Sequence, residues 1–382
     1  MKDYYVILTG SKNNAGDFLI KHRAKKLFSA LRGDREIVDL NAWIPFDDKS
    51  LAVVNSSKAL ILTGGPALQK NMYPRIYAMT PNLDAILAPI TAMGIGWKSS
   101  AGDWIDTYDY PLSEQSTELI GRMGSSDIPI SVRDYHTLNV MARKGVKNVR
   151  MTGCPAYYDL DSIGVDVKVS QSPAKVAFSL GVSFIDSPSM EQQMKMLALQ
   201  LRDYFKDSEF EVAFHHSLDA GLFLTTHGAS KVHVQRHNQF AQWLKEEGIA
   251  YRDISGSAES LIDYYDSVDL HVGYRVHAHI FMSSVSKPSV LIAEDGRGKA
   301  TEKVIGGVVM HGYSNFKSDL FSKVMNKIFH RYDRYSADRR VAGDVIRQIE
   351  YELIIGGQRT RGTRKAIDMN FGFMRNYIES LP

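Results

Sequence analysis

The chain has 382 residues, a formal net charge of +3, a hydrophobic fraction of 44% and a charged fraction of 23%. This length suits two domains and a tail, and the composition is that of a soluble globular protein. The mild charge argues against a nucleic-acid partner, and the one cysteine, Cys154, excludes an internal disulfide framework and a multi-cysteine metal site.

The N-terminal stretch MKDYYVILTGSKNNAGD carries no signal-peptide pattern, and no apolar run approaches the roughly 18 residues of a membrane span. We therefore expect a cytoplasmic protein. The same stretch predicts a strand over 4–8 and a helix over 18–31, joined by a polar loop. Asn14, Gly16 and Asp17 then lie at the carboxyl end of the first strand, as ligand-binding residues or, for Asn14 or Asp17, as helix caps.

The first half continues as an alternation of short apolar runs with helix-length segments, which is typical of a mostly parallel sheet. Two glycine-containing loops follow predicted strands. In the first, Gly64-Gly65-Pro66, the glycines permit a turn and the close approach of a ligand. In the second, Gly94 to Lys98, the ring of Trp97 either forms the wall of a sugar-binding cleft or packs in the core. The strands are predicted at 37–40, 59–63, 88–93, 129–132 and 149–151.

Arg133 and Asp134 follow the predicted strand 129–132 and precede a helix that Gly145 ends. Arg133 either contacts a ligand or forms an ion pair that fixes the turn. Beyond Pro155 the periodicity is lost, and this segment is the best candidate for an interdomain linker, with a boundary near Asp166.

The second half restarts the same alternation, so the chain is predicted to be an α/β protein with two Rossmann-like domains that face a cleft. Strands are predicted at 175–180 and 210–214, and helices at 190–205 and 238–247. The predicted domains are residues 1–165 and 166–335, followed by a C-terminal helical segment over 336–382.

The stretch from Leu270 to Ala300 is the strongest candidate site. A strand over 268–272 meets a helix over 276–284, and the free N–H groups of such a helix favour an anion. Arg275 adds a fork of donors suited to phosphate or carboxylate, and His277 adds a group that titrates near neutral pH. His277 and His279 are two residues apart on this helix and point to different faces, which argues against a shared metal ion.

A charged loop, Glu294 to Lys299, follows the next predicted strand, 289–293. Its two glycines predict mobility, and Arg297 or Lys299 could close over the same anion unless the loop is simply solvated. His215 and His216 also follow a predicted strand, and the sequence does not indicate which of them points inward. We predict His215 as a donor-binding residue.

Together these loops resemble the pattern of the polysaccharide pyruvyl transferase family over residues from about 10 to 300. The matching motifs are Asn14-Ala15-Gly16-Asp17, the glycine turn at Gly64, Ser131-Val132-Arg133-Asp134, Arg275-Val276-His277, and a strand led by Pro288 that ends in a loop bearing Lys299. The chain departs from the pattern at Cys154-Pro155-Ala156, where Asp-Pro-Ala is usual, at Gly273-Tyr274, where a serine commonly precedes the arginine, and at Pro66, where a third glycine is usual.

The resemblance implies a GT-B-like fold with phosphoenolpyruvate bound mostly by the C-terminal domain and a saccharide or lipid-linked saccharide acceptor bound by the N-terminal one. The implied reaction is the transfer of pyruvate onto two hydroxyls of one sugar as a ketal, with phosphoenolpyruvate as a co-substrate and no other cofactor. It implies His277 as the general acid, Arg275 as the anion grip, and Asp17 as the group that orients or deprotonates the acceptor hydroxyl. Lys299, Arg297 and His215 complete the predicted donor site, and Asn14, Gly16, Gly65, Trp97 and Arg133 the predicted acceptor site.

Two alternatives remain open at this stage. A GT-B glycosyltransferase that uses a nucleotide-activated sugar would also need an arginine and a histidine at this strand end, and a family member that had lost catalysis would keep the fold. A lipid-linked acceptor would bring the protein to the inner face of the membrane as a peripheral protein. Oligomerisation is compatible with the sequence but is not indicated by it.

Overall fold

The structure is a computed structural model that describes residues 3–9, 15–227, 230–317, 321–322, 324–325 and 332–382. The chain divides into two compact units. Unit 1 contains residues 1–11, 17–164 and 365–382, and unit 2 contains residues 12–16 and 165–364.

Unit 1 is built on parallel strands. In its described part, a sheet of order β2-β1-β3-β4 is joined by an adjacent pair, β5 and β6. Every residue of β3 is buried, as expected of a central parallel strand covered on both faces. The strands are β1 (Tyr4–Thr9), β2 (Glu36–Asn41), β3 (Ala59–Thr63), β4 (Ile90–Met93), β5 (Ile130–Val132) and β6 (Val149–Met151).

The helices of unit 1 are α1 (Ala15–Leu31), which starts within residues 12–16 of unit 2, α2 (Asp48–Asn55), α3 (Glu114–Gly124) and α4 (Tyr135–Arg143). Asp47, Ser113 and Asp134 are the N-cap residues of α2, α3 and α4, and each side chain accepts a backbone N–H three residues on. In the sheet the strand order reverses between β1 and β3, so the carboxyl ends of these two strands form a topological switch point where ligands of open α/β sheets bind.

Unit 2 contains a six-stranded parallel sheet of order β12-β11-β10-β7-β8-β9 in its described part, and here the strand order reverses between β7 and β10. These are the strands β7 (Lys175–Ser179), β8 (Glu209–Phe214), β9 (Ala250–Asp253), β10 (Leu270–Gly273), β11 (Ser289–Ala293) and β12 (Val308–His311). An antiparallel pair follows, β13 (Tyr313–Phe316) and β14 (Tyr335–Ala337).

Helices connect these strands, as the right-handed crossovers of a parallel sheet require. They are α5 (Pro188–Tyr204), α6 (Ala220–His227), α7 (Lys231–Glu246), α8 (Ala258–Asp266), α9 (Val276–Ser284) and α10 (Gly296–Ile305). Two further helices are α11 (Val341–Ile354) and α12 (Gln358–Glu379). Every residue of α9 is buried, as expected of a helix that is covered on all its faces.

The C-terminal segment 336–382 does not form a part of its own, which corrects the sequence-based division. Helix α11 packs on α5 and β12 through a buried face that includes Val345 and Ile349. Residues 365–382 instead group with unit 1, where the Tyr377 hydroxyl donates to the carbonyl of Ala92 at 3.0 Å. The hydrophobic periodicity identified the helices but carried no information about which core each would join.

Candidate functional site

The switch point of unit 2 positions Arg275 at the N-cap of α9, directly after β10. Its backbone N–H donates to the Ser179 hydroxyl at 3.1 Å, and its side-chain Nε–H donates to the carbonyl of Leu180 at 2.7 Å. Burial lowers the pKa of the Arg275 guanidinium to about 10, with Glu294 opposing that effect, so the group is charged at neutral pH. A fixed cation therefore lies at the N-terminus of α9, where an anion is favoured.

Gly273 makes this turn possible. Its φ is +147°, and a Cβ at this position would lie 2.4 Å from the carbonyl oxygen of Ser179. A side chain there is excluded both by backbone conformation and by space. The departure from the usual serine at this motif thus falls where the backbone of β10 lies close to Ser179 of β7.

His277 lies in the first turn of α9, is 7% exposed, and packs against Gly16. Gly16 belongs to the residues that group with unit 2, and a Cβ on Gly16 would lie 2.0 Å from His277 Nδ1. The lack of a side chain at Gly16 leaves space for the His277 ring, and the prediction that Gly16 binds the acceptor stays a prediction. Asn14, from the same motif, lies outside the described residues.

The two histidines after β8 take different roles. His215 is buried, and its Nε2 lies 2.7 Å from the hydroxyl of Tyr265. Burial, and after it the charge of Arg275, holds the pKa of His215 well below its ordinary value. His216 is less buried, and its Nδ1 lies 3.5 Å from Arg275 Nη2. The histidine within hydrogen-bond distance of the Arg275 guanidinium is thus His216, and a donor contact of His215 stays a prediction.

The prediction of a mobile loop from Glu294 to Lys299 is wrong, because most of this segment is helical. Asp295 caps helix α10, which begins at Gly296, and accepts the N–H of Arg297 at 2.8 Å. The glycine at 298 allows close helix-to-strand packing, since a Cβ there would lie 2.6 Å from the Cβ of Ala293. Close packing, and not mobility, explains this glycine.

Both cations of this segment, Arg297 and Lys299, contact other side chains. The Arg297 guanidinium makes a bidentate pair with the Asp295 carboxylate, in which Nε donates to Oδ1 at 3.2 Å and Nη2 donates to Oδ2 at 2.6 Å. Lys299 Nζ lies 5.5 Å from the centroid of the Tyr313 ring. A donor that used either residue would have to replace these contacts.

Glu294 is a residue of this site that the sequence does not predict. Its carboxylate is buried at the end of β11 and accepts the backbone N–H groups of Val182 and Ser183 and the Ser183 hydroxyl, at 2.7 to 3.1 Å. It thereby anchors the turn after β7 beside Arg275. A single glutamate that follows an apolar strand gives no sequence signal that separates it from a solvated residue.

The switch point of unit 1 holds a cavity of about 110 Å³. Asp17, from the first turns of α1, lines it together with the ends of β1 and β3, and the hydroxyls of Thr9 and Thr63 lie 3.1 Å apart there. Gly65, at a φ of +72°, borders the cavity, and a Cβ on it would lie 3.3 Å from Asp17 Oδ1. The structure thus brings together Asp17 and Gly65, two of the predicted acceptor-binding residues.

Arg133 and Trp97 are buried in unit 1 and do not line this cavity. Trp97 is 1% exposed and stacks on His136 with a centroid distance of 5.0 Å, so the expectation of a cleft-wall ring is wrong, and the packing alternative holds. Arg133 Nε lies 3.4 Å from Asp134 Oδ2, and this contact fits the bracing alternative. Burial raises the pKa of the nearby Cys154 thiol to about 11, so the position that is usually an aspartate in the Asp-Pro-Ala motif carries no charge here.

Among the described residues, no group of three or more His, Cys, Asp or Glu side chains could hold a metal ion. Within the same described ranges, no helix has the length and apolarity needed to cross a membrane.

A family model described as polysaccharide pyruvyl transferase matches residues 14–296. No curated protein matches the chain. Among solved structures, the apo structure of OtsA has 8% identity and a TM-score of 0.50, covering 99% of this chain and 98% of its own. The putative UDP-N-acetylglucosamine 2-epimerase from Listeria monocytogenes has 10% identity and a TM-score of 0.48, covering 98% of this chain and 94% of its own.

The UDP-GlcNAc 2-epimerase from Methanocaldococcus jannaschii, in complex with UDP-GlcNAc and UDP, has 8% identity and a TM-score of 0.46, with coverages of 91% and 99%. At such identities a likeness shows the fold alone. The predicted GT-B-like fold, with two Rossmann-like units and C-terminal helices, is confirmed.

Proposed function

Because the chain belongs to the polysaccharide pyruvyl transferase family, we propose that it transfers pyruvate from phosphoenolpyruvate onto one sugar of a bacterial surface glycan or its precursor. The product is a cyclic ketal, and phosphate is released. The observation that carries the proposal is the placement of Arg275 at the N-cap of α9 and of His277 in its first turn, at the switch point of unit 2.

The first step adds one sugar hydroxyl across the carbon-carbon double bond of the donor. The hydroxyl oxygen bonds to carbon 2 and loses its own proton to solvent or to a base, while carbon 3 takes up a proton and becomes a methyl group. His277 supplies that proton as the general acid, a role in which a histidine is effective near neutral pH. Gly16 supports the assignment, because the absence of a side chain there leaves space for the imidazole.

The second step replaces phosphate by the second hydroxyl at carbon 2. The bond between carbon 2 and the phosphate oxygen breaks, the second hydroxyl bonds to carbon 2, and its proton leaves to solvent or to the departing phosphate. Arg275 and the N-terminus of α9 stabilise the negative charge that grows on that phosphate. The bond from Arg275 Nε to the Leu180 carbonyl fixes the plane of the guanidinium, so that its remaining N–H groups are pre-oriented.

The acceptor side of the proposal rests on the cavity of unit 1. A carboxylate and two hydroxyls at the end of a parallel sheet are groups that hydrogen-bond a sugar. Asp17 is the charged residue that lines this cavity and is therefore the proposed group for orienting or deprotonating an acceptor hydroxyl.

The deciding experiment incubates the full chain with phosphoenolpyruvate and a panel of methyl glycosides and UDP-activated hexoses. We expect phosphate release that depends on one acceptor, and a product heavier than that acceptor by one pyruvate less one water. Release of a nucleotide in place of phosphate would favour a nucleotide-sugar glycosyltransferase, and no turnover with any donor would favour a non-catalytic member.

His277→Asn tests the assigned acid within this assay. The loss of a general acid lowers the turnover rate by about 10²-fold or more. His311→Asn is the matched control, since His311 is exposed at the end of β12. Turnover of His277→Asn at the parent rate would remove His277 from the mechanism.

A further inference from the structure

A buried polar network lies directly beneath the Arg275 site, although none of its serines or histidines was assigned a function from the sequence. Its members are Ser179 at the end of β7, His271 on β10, Ser289 on β11 and His279 on α9. All four are at most 5% exposed. Four polar side chains at the centre of a parallel sheet are costly unless each is hydrogen-bonded.

The contacts form a continuous chain. His271 Nε2 lies 2.7 Å from the Ser179 hydroxyl, and His271 Nδ1 lies 2.7 Å from the Ser289 hydroxyl. His279 Nδ1 lies 2.8 Å from the same Ser289 hydroxyl. At its other end the chain meets the site, because the Ser179 hydroxyl accepts the backbone N–H of Arg275.

Counting protons shows that these bonds are mutually consistent. The Ser289 hydroxyl has one proton and faces two Nδ1 atoms, so it donates to one neutral imidazole and accepts from the other. If His271 carries its proton on Nδ1, its bare Nε2 accepts from Ser179. If His271 carries it on Nε2, that N–H donates to Ser179 instead. In both arrangements Ser179 keeps a lone pair for the Arg275 N–H.

Burial keeps both imidazoles neutral at physiological pH. It lowers the pKa of His271 well below its ordinary value, and it lowers that of His279 to about 4. The count of one proton on each ring therefore applies under ordinary conditions.

We infer that His271 is a positioning residue that acts through Ser179. The ring of His271 fixes the side-chain rotamer of Ser179. The Ser179 hydroxyl accepts the backbone N–H of Arg275 and so holds the segment that carries Arg275 and His277. Ser179 holds this turn twice, because its carbonyl also accepts the N–H of Tyr274 at 3.0 Å. Without His271 the Ser179 hydroxyl loses one of the partners that orient it towards Arg275, and only the Tyr265 hydroxyl remains as a side-chain partner among the contacts of the described residues.

The inference concerns the site itself, and only its effect on phosphoenolpyruvate rests on the proposed function. Two measurements separate the positioning role of His271 from its effect on phosphoenolpyruvate. Hydrogen exchange of the peptide that contains Arg275 reports the Ser179 bond without any ligand. Calorimetric titration with phosphoenolpyruvate, and with inorganic phosphate as a second probe, reports the consequence for anion binding.

The variants are Ser179→Ala, His271→Leu, their combination, and His279→Leu as the matched control. His271 and His279 are both buried and both bond the Ser289 hydroxyl, but of these two histidines it is His271 that lies within hydrogen-bond distance of Ser179. We expect Ser179→Ala and His271→Leu each to speed exchange at Arg275 and to weaken anion binding, both by about three- to tenfold, the worth of one hydrogen bond. The double variant should be no worse than either single variant.

His279→Leu should match the parent in hydrogen exchange at Arg275 and in anion binding. Its loss of thermal stability should be comparable to that of His271→Leu. Equal effects of His271→Leu and His279→Leu would overturn the inference, as would additive effects in the double variant. If His271→Leu does not fold, His271→Asn, whose side chain is too short to reach Ser179, replaces it in the same comparison. Faster exchange at Arg275 in a protein that binds neither probe would support the positioning role and count against the proposed function.

Discussion

The backbone of Gly96 lies so close to the guanidinium of Arg133 that a Cβ on Gly96 would stand 1.9 Å from Arg133 Nε. Both residues are buried in unit 1, and the Arg133 side chain is 7% exposed. The arginine therefore has little room to move aside. We expect Gly96→Ala to lower the free energy of unfolding by about 1 to 3 kcal/mol, the usual cost of overpacking, and a urea titration measures this.

Gly121→Ala is the matched control. Gly121 lies on the exposed side of α3, and a Cβ there would meet nothing within 4 Å. Alanine is the better helix former, so this variant should gain about 0.5 to 1 kcal/mol. An equal effect of the two substitutions would show that the contact with Arg133 does not constrain position 96.

The sequence identified most strands of both units because a parallel sheet requires short apolar runs separated by helix-length segments. The predicted strands 59–63, 149–151 and 289–293 and the helix 276–284 have the bounds found in the structure. The position of Arg275 could be predicted for the same reason, since a charged residue that directly follows a buried parallel strand must lie at the carboxyl end of the sheet.

Side-chain direction could not be predicted. The two adjacent histidines after β8 differ only in which way each points, and a period of two along a strand is lost once the strand ends. The glycine at 298 was interpreted as a source of mobility because the sequence does not show that Ala293 packs against it. Contacts with the distant residues Tyr265 and Arg275 decided the first case, and the path of the short turn from β11 into α10 decided the second.

Asp17→Asn should separate acceptor use from donor binding. The amide keeps the shape of the side chain but loses its charge and its ability to accept a proton. Because Asp17 lines the cavity of unit 1 and Arg275 lies in unit 2, we expect acceptor-dependent phosphate release to fall by about 10²-fold while phosphoenolpyruvate affinity is unchanged. Initial rates and calorimetry measure the two quantities.

Asp39→Asn is the control for that change. Asp39 lies on the neighbouring strand β2, where it pairs with Lys21 and Lys25, and it does not line the same cavity. Removal of the Asp39 charge should leave phosphate release near the parent rate. A similar fall in both variants would mean that negative charge in this region matters and that Asp17 has no specific role.

Arg275→Lys tests the geometry of the cation and not its charge. Lysine keeps the positive charge but lacks the planar fork and the Nε–H that donates to Leu180. We expect phosphoenolpyruvate to bind about 10-fold to 100-fold more weakly, as measured by calorimetry. Arg252→Lys is the control, because Arg252 is an exposed residue paired with Glu211, and it should bind as the parent does. Parent-like affinity in Arg275→Lys would reduce the role of Arg275 to a point charge.

Stability should fall as the pH is lowered from 7 to 5, because His279 is buried in its neutral form. The folded-state pKa of about 4 lies below the ordinary value of 6.5, so the unfolded chain binds a proton in this window that the folded chain does not. The contribution of His279 is complete above pH 6.5 and is lost as the pH falls towards 4. At pH 5 the loss amounts to about 2 kcal/mol.

Urea titrations of the parent and His279→Leu at both pH values should show a smaller decline in the variant. His311→Leu is the control, since the exposed His311 side chain should leave the decline unchanged. An identical decline in the parent and His279→Leu would show that His279 is not the group that titrates.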